Sequence, residues 1–310
     1  MRRQLLFLSL MILLSFTACA PSDQGDTDET ETITVEHELG TDHVKKNPEK
    51  VVVFDFGALD TLDELGIDIA GLPKATIPSY LAKYNDEKYE NVGSLKEPDF
   101  EKIAEIDPDV IIISGRQSTL YDQLKELAPV VYVDIDTTKY MESFEENLEI
   151  LGEIFDKESE IEEKLSTIKD DIEQLVKKAE DESKSALIIL ANDDKISAYG
   201  PKSRFGIIHD AFGLTPVDEN IEASTHGMNV TFEYVMERDP DILYVIDRGA
   251  AIGEESSAEQ IVENSLVERT KAYQNDNIIY LHPDYWYLSG GGLVSVSEMV
   301  KEIEASLAEN

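Results

Sequence analysis

Short runs of β-branched and other apolar residues alternate with amphipathic stretches along most of the chain. The strand-like runs are residues 51–54, 110–113, 130–133, 186–191, 195–199, 242–246 and 277–281. The helix-like stretches are residues 58–65, 100–106, 118–127, 205–212, 232–238 and 294–307. This alternation is typical of α/β proteins, in which helices cover a largely parallel sheet. We therefore predict an α/β fold with two Rossmann-like lobes, one in each half of the chain.

The stretch between the two halves has a different pattern. From Tyr140 to about Asp181 the chain is predicted to be helical, with a break near Asp156. In its second part, apolar residues recur in steps of three and four, which places them on one face of a helix of about 25 residues, roughly 37 Å long. Such a face is compatible with a coiled-coil dimer or with a strut packed across two lobes. The α/β patterns on both sides favour the strut, so we expect one long connecting helix and a monomer.

The N-terminus has the features of an export signal. Arg2 and Arg3 precede an apolar run, residues 5–16, that is too short for a membrane span and suits a signal peptide. Cys19 follows in Phe16-Thr17-Ala18-Cys19, which resembles a bacterial lipobox with Cys19 as the site of lipid attachment. A plain secretory signal cut nearby is the alternative. Because Cys19 is the only cysteine, the fold can have no internal disulfide.

These patterns divide the chain into five predicted segments. Residues 1–18 form the signal peptide, and residues 19–34, which are almost entirely polar, form a lipidated flexible tether. Residues 35–139 form an N-terminal α/β lobe, residues 140–183 the connecting helical segment, and residues 184–310 a C-terminal α/β lobe. This arrangement predicts a protein anchored to the outer face of the cell membrane.

A twelve-residue unit occurs once in each half. Residues 105–116 and 237–248 share a Glu, an Asp-Pro-Asp, an apolar run and a terminal Arg at identical spacing. The Asp-Pro pair ends a helix, because a residue before proline is pushed out of the helical region. Arg116 and Arg248 then fall just past the carboxyl end of a strand, where open α/β sheets bind ligands. Arg204, at the start of a predicted helix, is a third candidate for the same cleft.

The charge balance limits the possible partners. The formal net charge is −38, from 65 acidic and 27 basic residues, which makes nucleic acid an improbable partner. Only five arginines follow residue 18. Singly, each would be a weak surface ion-pair partner, but three that converge would suit a bulky anion rich in oxygen atoms. The identical spacing in the two halves favours the anion site.

Motifs of catalysis and of metal binding are absent from the sequence. There is no G-x-G-x-x-G after the first strand, no phosphate-binding loop, no G-x-S-x-G and no H-E-x-x-H. We therefore expect a binding protein that is not an enzyme and has no resident cofactor. A bare-metal site would need clustered histidines, but the five are scattered. They are His37, His43, His209, His226 and His282. Bare zinc or manganese, haem and cobalamin remain as alternative ligands.

Taken together, these features resemble the siderophore-binding lipoproteins of Gram-positive ABC importers, within the iron–siderophore group of periplasmic binding proteins. The residues that carry the resemblance are the lipobox, Glu97-Pro98-Asp99 ahead of the first Asp-Pro-Asp, and Asp247-Arg248 in the second half. The resemblance covers essentially the whole mature chain, and the petrobactin or catecholate type is the most similar. It implies that the protein captures a ferric catecholate or catecholate–citrate complex and delivers it to an ABC permease.

The resemblance also implies roles for individual residues. Arg116, Arg204 and Arg248 would bind the anionic siderophore, and His226 would donate a hydrogen bond in the cleft. Trp286, beside Ser289-Gly290-Gly291-Gly292, would stack on a catechol ring. Further aromatic candidates for stacking are Tyr80, Tyr199, Tyr285 and Tyr287.

Docking on the permease would use one surface glutamate from each lobe. Glu97 matches the first of these by its motif. For the second we predict Glu222, with Glu233 as the alternative.

Overall fold

The computed structural model describes residues 31–254 and 258–308. The predicted signal peptide, Cys19 and most of the predicted tether lie outside these residues. Among the residues described, no helix combines the length and the apolar character needed to cross a membrane.

The predicted tether extends too far into the folded protein. Residues 32–34 belong to strand β1 (Thr32–His37), which pairs antiparallel with β2 (Gly40–Lys45). Both strands look polar in sequence, but each sends one valine into the core, Val35 and Val44, exposed by 4% and 0%. A strand that buries only part of one face carries too few apolar residues to be recognised from its sequence.

The first sheet has five parallel strands in the order β5-β4-β3-β6-β7. They are β3 (Val51–Val53), β4 (Gly71–Leu72), β5 (Glu90–Asn91), β6 (Val110–Ile113) and β7 (Val130–Tyr132). Every residue of β3, β6 and β7 is buried, as expected for strands covered on both faces. The short strands β4 and β5 carry no pattern that predicts them.

Helices and 3₁₀ turns connect these strands. They are α1 (Phe56–Glu64), α2 (Phe100–Ile106) and α3 (Tyr121–Lys125), with 3₁₀ turns at Ser79–Asn85, Gly115–Leu120 and Thr137–Lys139. The helix predicted over 118–127 is therefore divided into a 3₁₀ turn and a short α-helix. The turn begins early because the Gln117 side chain accepts a hydrogen bond from the Ser114 amide, 3.1 Å away.

The second sheet is mixed. Its main order is β11-β9-β8-β12-β13, with the short strand β10 also paired to β8. The strands are β8 (Ser185–Asn192), β9 (Lys195–Tyr199), β10 (Thr215–Pro216), β11 (Met228–Val230), β12 (Ile242–Asp247) and β13 (Ile278–Leu281). Strand β9 runs antiparallel to both of its neighbours, β8 and β11. The predicted pairing of β9 with β8 is confirmed. Strands β8, β12 and β13 are parallel.

The remaining helices are α4 (Tyr140–Phe155), α5 (Glu158–Glu182), α6 (Ile207–Asp210), α7 (Phe232–Arg238), α8 (Arg248–Ala251), α9 (Ala258–Val262), α10 (Lys271–Gln274) and α11 (Leu293–Ala308). A 3₁₀ turn lies at Val267–Arg269 and a π-helical turn at Asp284–Ser289. The helix predicted over 205–212 is shorter than expected, with only four residues.

The long helix between the sheets is α5, with 25 residues. The break before it falls at Asp156, which has a left-handed backbone conformation with φ of 52°. The apolar face of α5 buries Ile161, Ile168 and Leu175, and it packs against α4 and α11 of the same chain. The chain thus covers this face itself, which favours the strut over a coiled-coil dimer.

The repeated Asp-Pro-Asp unit begins as a helix stop in both halves. The first aspartate of each, Asp107 and Asp239, ends α2 and α7 in the left-handed conformation, with φ of 53° and 46°. Aspartate tolerates this conformation better than most residues. The unit therefore turns the chain sharply from a helix into the following strand.

The second aspartate of each unit binds the start of the neighbouring strand. The carboxylate of Asp109 accepts hydrogen bonds from the amides of Glu49 and Lys50, at 2.8 and 2.9 Å, just before β3. Asp241 accepts from the amide and the hydroxyl of Ser185, at 3.0 and 2.7 Å, at the start of β8. The unit is thus a structural joint that aligns adjacent parallel strands and places the arginine that follows.

We expect Asp109→Ala to lower the free energy of unfolding by about 1–3 kcal/mol, because two amides lose their acceptor. Burial raises the pKa of Asp109, but hydrogen bonds from Lys50 and Glu49 lower it more, so the net pKa lies below the ordinary value. The stabilisation is therefore present at neutral pH and is lost as the pH falls through this lowered pKa. Urea unfolding of the wild type and Asp109→Ala, at pH 7 and in acid, measures this difference in the free energy of unfolding. Asp107→Asn is the control and should change stability by less than about 0.5 kcal/mol; equal stability of both variants at pH 7 would contradict the prediction.

Candidate functional site

The three arginines selected from the sequence meet at one residue, Tyr287. Nη2 of Arg116 and Nη2 of Arg204 both donate to the Tyr287 carbonyl oxygen, at 3.3 and 2.7 Å. Nε of Arg248 donates to the Tyr287 hydroxyl, at 3.2 Å. A single tyrosine thus brings together cationic side chains from both sheets.

Each arginine reaches this point from the end of a strand or from a loop beside one. Arg116 lies in the 3₁₀ turn that follows β6, and Arg248 is the first residue of α8, directly after β12. Arg204 lies in the loop between β9 and α6. The repeated unit therefore places Arg116 and Arg248 at the carboxyl ends of their strands, as predicted.

The site concentrates positive charge. The guanidinium of Arg204 stacks on the ring of Tyr287, 4.3 Å from its centroid. Burial lowers the pKa of Arg204, and the charge of Arg116 lowers it further. Nη1 of Arg248 donates to the amide oxygen of Asn192, at 2.9 Å. The acceptors in these hydrogen bonds are neutral groups, so the bonds orient the guanidiniums without cancelling their charge.

The phenol of Tyr287 responds to this charge. Burial raises the pKa of Tyr287, but the positive charges of Arg204 and Arg248 and their hydrogen bonds lower it by more. The net pKa of Tyr287 therefore lies below the ordinary tyrosine value. The site stabilises a negatively charged oxygen even on one of its own side chains.

A cavity of about 390 Å³ opens beside the arginines. Arg204, Arg248 and Tyr287 line it together with residues of the second sheet and its loops. These are Leu190, Asn192, Lys195, Ser197, Tyr199, Thr225, His226, Gly227 and Asn229. Arg116 is outside this lining and is linked to it through the Tyr287 carbonyl. Lys195, Arg204 and Arg248 supply cationic side chains to this cavity, and two tyrosines lie in its wall.

Two of the lining residues refine the predictions from sequence. His226 lines the cavity, and its role as a hydrogen-bond donor to a ligand stays a prediction. Lys195 adds an exposed cation that the sequence reasoning missed. Its position after the turn at Asp193-Asp194, at the start of β9, is the only signal in the sequence that could have indicated a hairpin tip near the cleft.

Trp286 does not line the cavity, contrary to the expectation that it stacks on a ligand. Its side chain is only 3% exposed, and its indole Nε1 donates to Oε2 of Glu302, at 2.6 Å. Residues 284–289 form a π-helical turn, in which adjacent side chains point in different directions. Tyr287 therefore faces the arginines, whereas Trp286 faces the core.

The other aromatic candidates also differ in whether they line the cavity. Tyr199 lines the cavity and packs edge-on against Phe205, with 4.6 Å between the ring centroids. Tyr80 and Tyr285 lie outside the lining and contact each other, with 4.9 Å between their centroids. Tyr199 is itself only 1% exposed, so of the five aromatic residues considered it is Tyr287 that can present its ring to a ligand in this cavity.

The predicted docking glutamates, Glu97 and Glu222, are both exposed. Nothing in the structure tests their role, which stays a prediction. Extending the alignment of the two copies, residues 105–116 and 237–248, back over the helices that lead into them gives a different matched pair. Helices α2 and α7 have seven residues each, and Glu101 and Glu233 occupy the same position in their first turns, both exposed. Glu97 instead corresponds to Asn229.

In residues 31–254 and 258–308, no group of three or more His, Cys, Asp or Glu side chains is arranged to hold a metal ion. Separately, the guanidinium groups that converge on Tyr287 provide charged donors that suit an oxygen-rich anion.

The fold and the site define a solute-binding protein, with two α/β lobes that gather cationic side chains at the ends of their strands beside a cavity. A family model described as periplasmic binding protein matches residues 51–285. The chain belongs to this family, and the family and the fold class predicted from the sequence are both confirmed.

Several relatives resemble nearly the whole chain. The petrobactin-binding protein YclQ of Bacillus subtilis (strain 168) is 53% identical over 310 residues, or 98% of each chain. The ferric-anguibactin-binding protein FatB of Vibrio anguillarum (strain ATCC 68554 / 775) is 30% identical over 94% of this chain and 93% of its own.

Two solved structures have the same fold over most of the chain. The crystal structure of YclQ superposes with a TM-score of 0.89 and 55% identity, covering 90% of this chain and 100% of that one. The siderophore-binding protein BauB, solved with two acinetobactin molecules and ferric iron, has a TM-score of 0.83 and 30% identity. It covers 90% of this chain and 100% of its own.

The Tyr287 phenol provides a direct test of the arginine cluster. In an alkaline absorbance titration, the difference between the wild type and Tyr287→Phe isolates this phenol, and we expect it to ionise below the ordinary tyrosine range. Arg204→Gln should move the midpoint upward, because a stacked positive charge is removed. Arg238→Gln is the control, since Arg238 stacks on Tyr234 and pairs with Asp218 instead. A Tyr287 midpoint that Arg204→Gln leaves unmoved would contradict the described site.

Proposed function

We propose that this protein captures a ferric siderophore of the catecholate or catecholate–citrate type, petrobactin first among them, and delivers it to an ABC importer at the cell surface. The observation that carries the proposal is the convergence of Arg116, Arg204 and Arg248 on Tyr287 beside the cavity.

The chemistry of the ligand matches that of the site. Deprotonated catecholate and citrate oxygens give a ferric complex several negative charges spread over a broad surface. Guanidinium groups are always charged and present several donors in one plane, so they suit such oxygens. Tyr287 offers an aromatic side chain for a catechol ring beside these donors. A relative that is 53% identical over 98% of the chain is a petrobactin-binding protein, which supports the same ligand here.

The compartment follows from the N-terminal residues. We infer that Cys19 is lipidated and holds the protein at the outer face of the cell membrane, where it acts as a monomer. The siderophore iron is cargo, and no resident cofactor takes part. In this proposal the protein delivers its ligand to a permease without changing the ligand chemically.

We expect Arg248→Ala to weaken binding of ferric petrobactin about tenfold to a hundredfold, because a charged donor aimed at the anion is lost. The measurement is fluorescence quenching of the soluble protein from residue 31, titrated with ferric petrobactin, a ferric hydroxamate and haemin. Arg238→Ala is the control, because its guanidinium is already paired with Asp218. Saturable quenching by haemin or the hydroxamate alone would refute the catecholate proposal, and equal affinities in the two variants would refute the role of Arg248.

We further propose that the permease contacts one exposed glutamate at the start of α2 and one at the start of α7, Glu101 and Glu233. Their equivalent positions in the two helices that lead into the repeated unit support this pair over Glu97 and Glu222. Alanine at either position should leave siderophore affinity unchanged and reduce uptake of radiolabelled ferric petrobactin by cells that depend on this protein. Glu97→Ala and Glu222→Ala are matched controls. Reduced uptake in the controls alone would reinstate the first pair.

A further inference from the structure

The segment that carries Tyr287 follows the second sheet in sequence but is fastened to elements of the first. At its start, the carboxylate of Asp284 accepts hydrogen bonds from the amide and the hydroxyl of Ser79, at 2.6 and 2.5 Å. At its end, the amide of Leu293 donates to the hydroxyl of Thr61 on α1, at 3.1 Å. Tyr287 therefore lies between two anchors that both belong to the first half of the chain.

The centre of the second anchor is Asp60 on α1. Its side chain is fully buried, with 0% exposure. Its carboxylate accepts hydrogen bonds from the amides of Val294 and Ser295, at 3.2 and 3.0 Å, and from the Tyr80 hydroxyl, at 3.0 Å. The Tyr80 hydroxyl is also 2.6 Å from the hydroxyl oxygen of Ser289. Asp60 thus contacts the segment directly at one end and through Tyr80 near its middle.

These bonds complete the start of the 16-residue helix α11. The first amides of a helix have no acceptor within it, and they carry partial positive charge. In most helices a nearby residue of the same segment caps them. Here Asp60 and Thr61, more than 230 positions earlier in the chain, accept the bonds. The position of α11 therefore depends on α1.

Two glycines allow α1 and the segment to touch. A Cβ on Gly57 would lie 2.9 Å from the carbonyl oxygen of Ser289, and a Cβ on Gly292 would overlap the carboxylate of Asp60. Neither position has room for a side chain. The backbone of residues 289–292 consequently contacts α1 directly. A displacement of the Asp60 side chain would therefore displace this backbone as well.

We propose that Asp60 is a positioning residue for the ligand site: it holds residues 284–295 against α1 so that Tyr287 stands between Arg116, Arg204 and Arg248. Asp60 does not line the cavity and does not touch the ligand. The inference rests on the proposed siderophore-binding function where it is tested by siderophore affinity. Its second test, the ionisation midpoint of Tyr287, needs no ligand.

The electrostatics of Asp60 are consistent with this role. Burial raises the pKa of Asp60 to about 7, although hydrogen bonds from Ser295 and Tyr80 oppose the shift. A buried carboxylate without a paired cation is costly to keep. A carboxylate accepts hydrogen bonds on both of its oxygen atoms, whereas an amide side chain accepts on one and donates from the other; here both oxygen atoms of Asp60 accept, which gives a reason for its presence.

The test compares Asp60→Asn with Asp42→Asn. Asp42 is also a buried carboxylate of the first half, exposed by 4%, with hydrogen bonds from Tyr121, Lys125 and the Val130 amide. Both variants are expected to lose stability. Only Asp60→Asn should weaken ferric petrobactin binding, by about tenfold, and move the Tyr287 ionisation midpoint upward. Measurements are made well below both unfolding temperatures.

Tyr80→Phe is the second variant, for the case that Asp60→Asn does not fold. It removes one donor to Asp60 and the link to Ser289, and should shift both readouts in the same direction by less. A folded Asp60→Asn protein with unchanged affinity and an unmoved Tyr287 midpoint would overturn the proposal, as would equal shifts in Asp42→Asn. If the wild type binds no siderophore, the proposed function fails while the Tyr287 titration still decides the role of Asp60.

Discussion

Guanidinium groups repel one another, and this protein must hold three of them together before any anion arrives to neutralise them. The solution is a neutral acceptor at the centre: the carbonyl oxygen and the hydroxyl of Tyr287 bind all three arginines. The repulsion is still visible, since the charge of Arg116 lowers the pKa of Arg204. A multiply charged anion would reduce this repulsion. Because the guanidinium groups are already in place, less free energy is spent on arranging them when the anion binds.

This arrangement depends on both halves of the fold. Arg116 comes from the first sheet, whereas Arg204 and Arg248 come from the second. The common acceptor lies on a segment that follows the second sheet but is fixed to α1 and to the 3₁₀ turn at Ser79–Asn85. The two halves are therefore coupled by more than the long helix α5. Relative motion of the lobes would have to disturb either these anchors or the arginine cluster.

The parts of the site that follow from local rules could be predicted from the sequence. The Asp-Pro-Asp unit stops a helix, starts a buried strand and ends in an arginine, so Arg116 and Arg248 were correctly placed at strand ends. The choice between Trp286 and Tyr287 could not be made, because a π-helical turn sets which side chain faces inward and no sequence period indicates it. Asp60 was not predicted either. It looks like an ordinary polar residue of an amphipathic helix, and its partners lie at the far end of the chain.

The strongly acidic chain surrounds a cavity with cationic side chains, and this contrast affects which ligands can bind. At physiological salt, charges more than roughly 8 Å apart in solvent are largely screened, so the net charge of −38 acts on a distant anion only weakly. Inside the cavity, burial reduces screening and the nearby guanidiniums dominate. An acidic surface around a cationic cavity therefore favours ligands small enough to enter and disfavours large polyanions such as nucleic acid. The same contrast makes the exposed glutamates at the starts of α2 and α7 suited to contacts with cationic partners, whereas the cavity suits an anion.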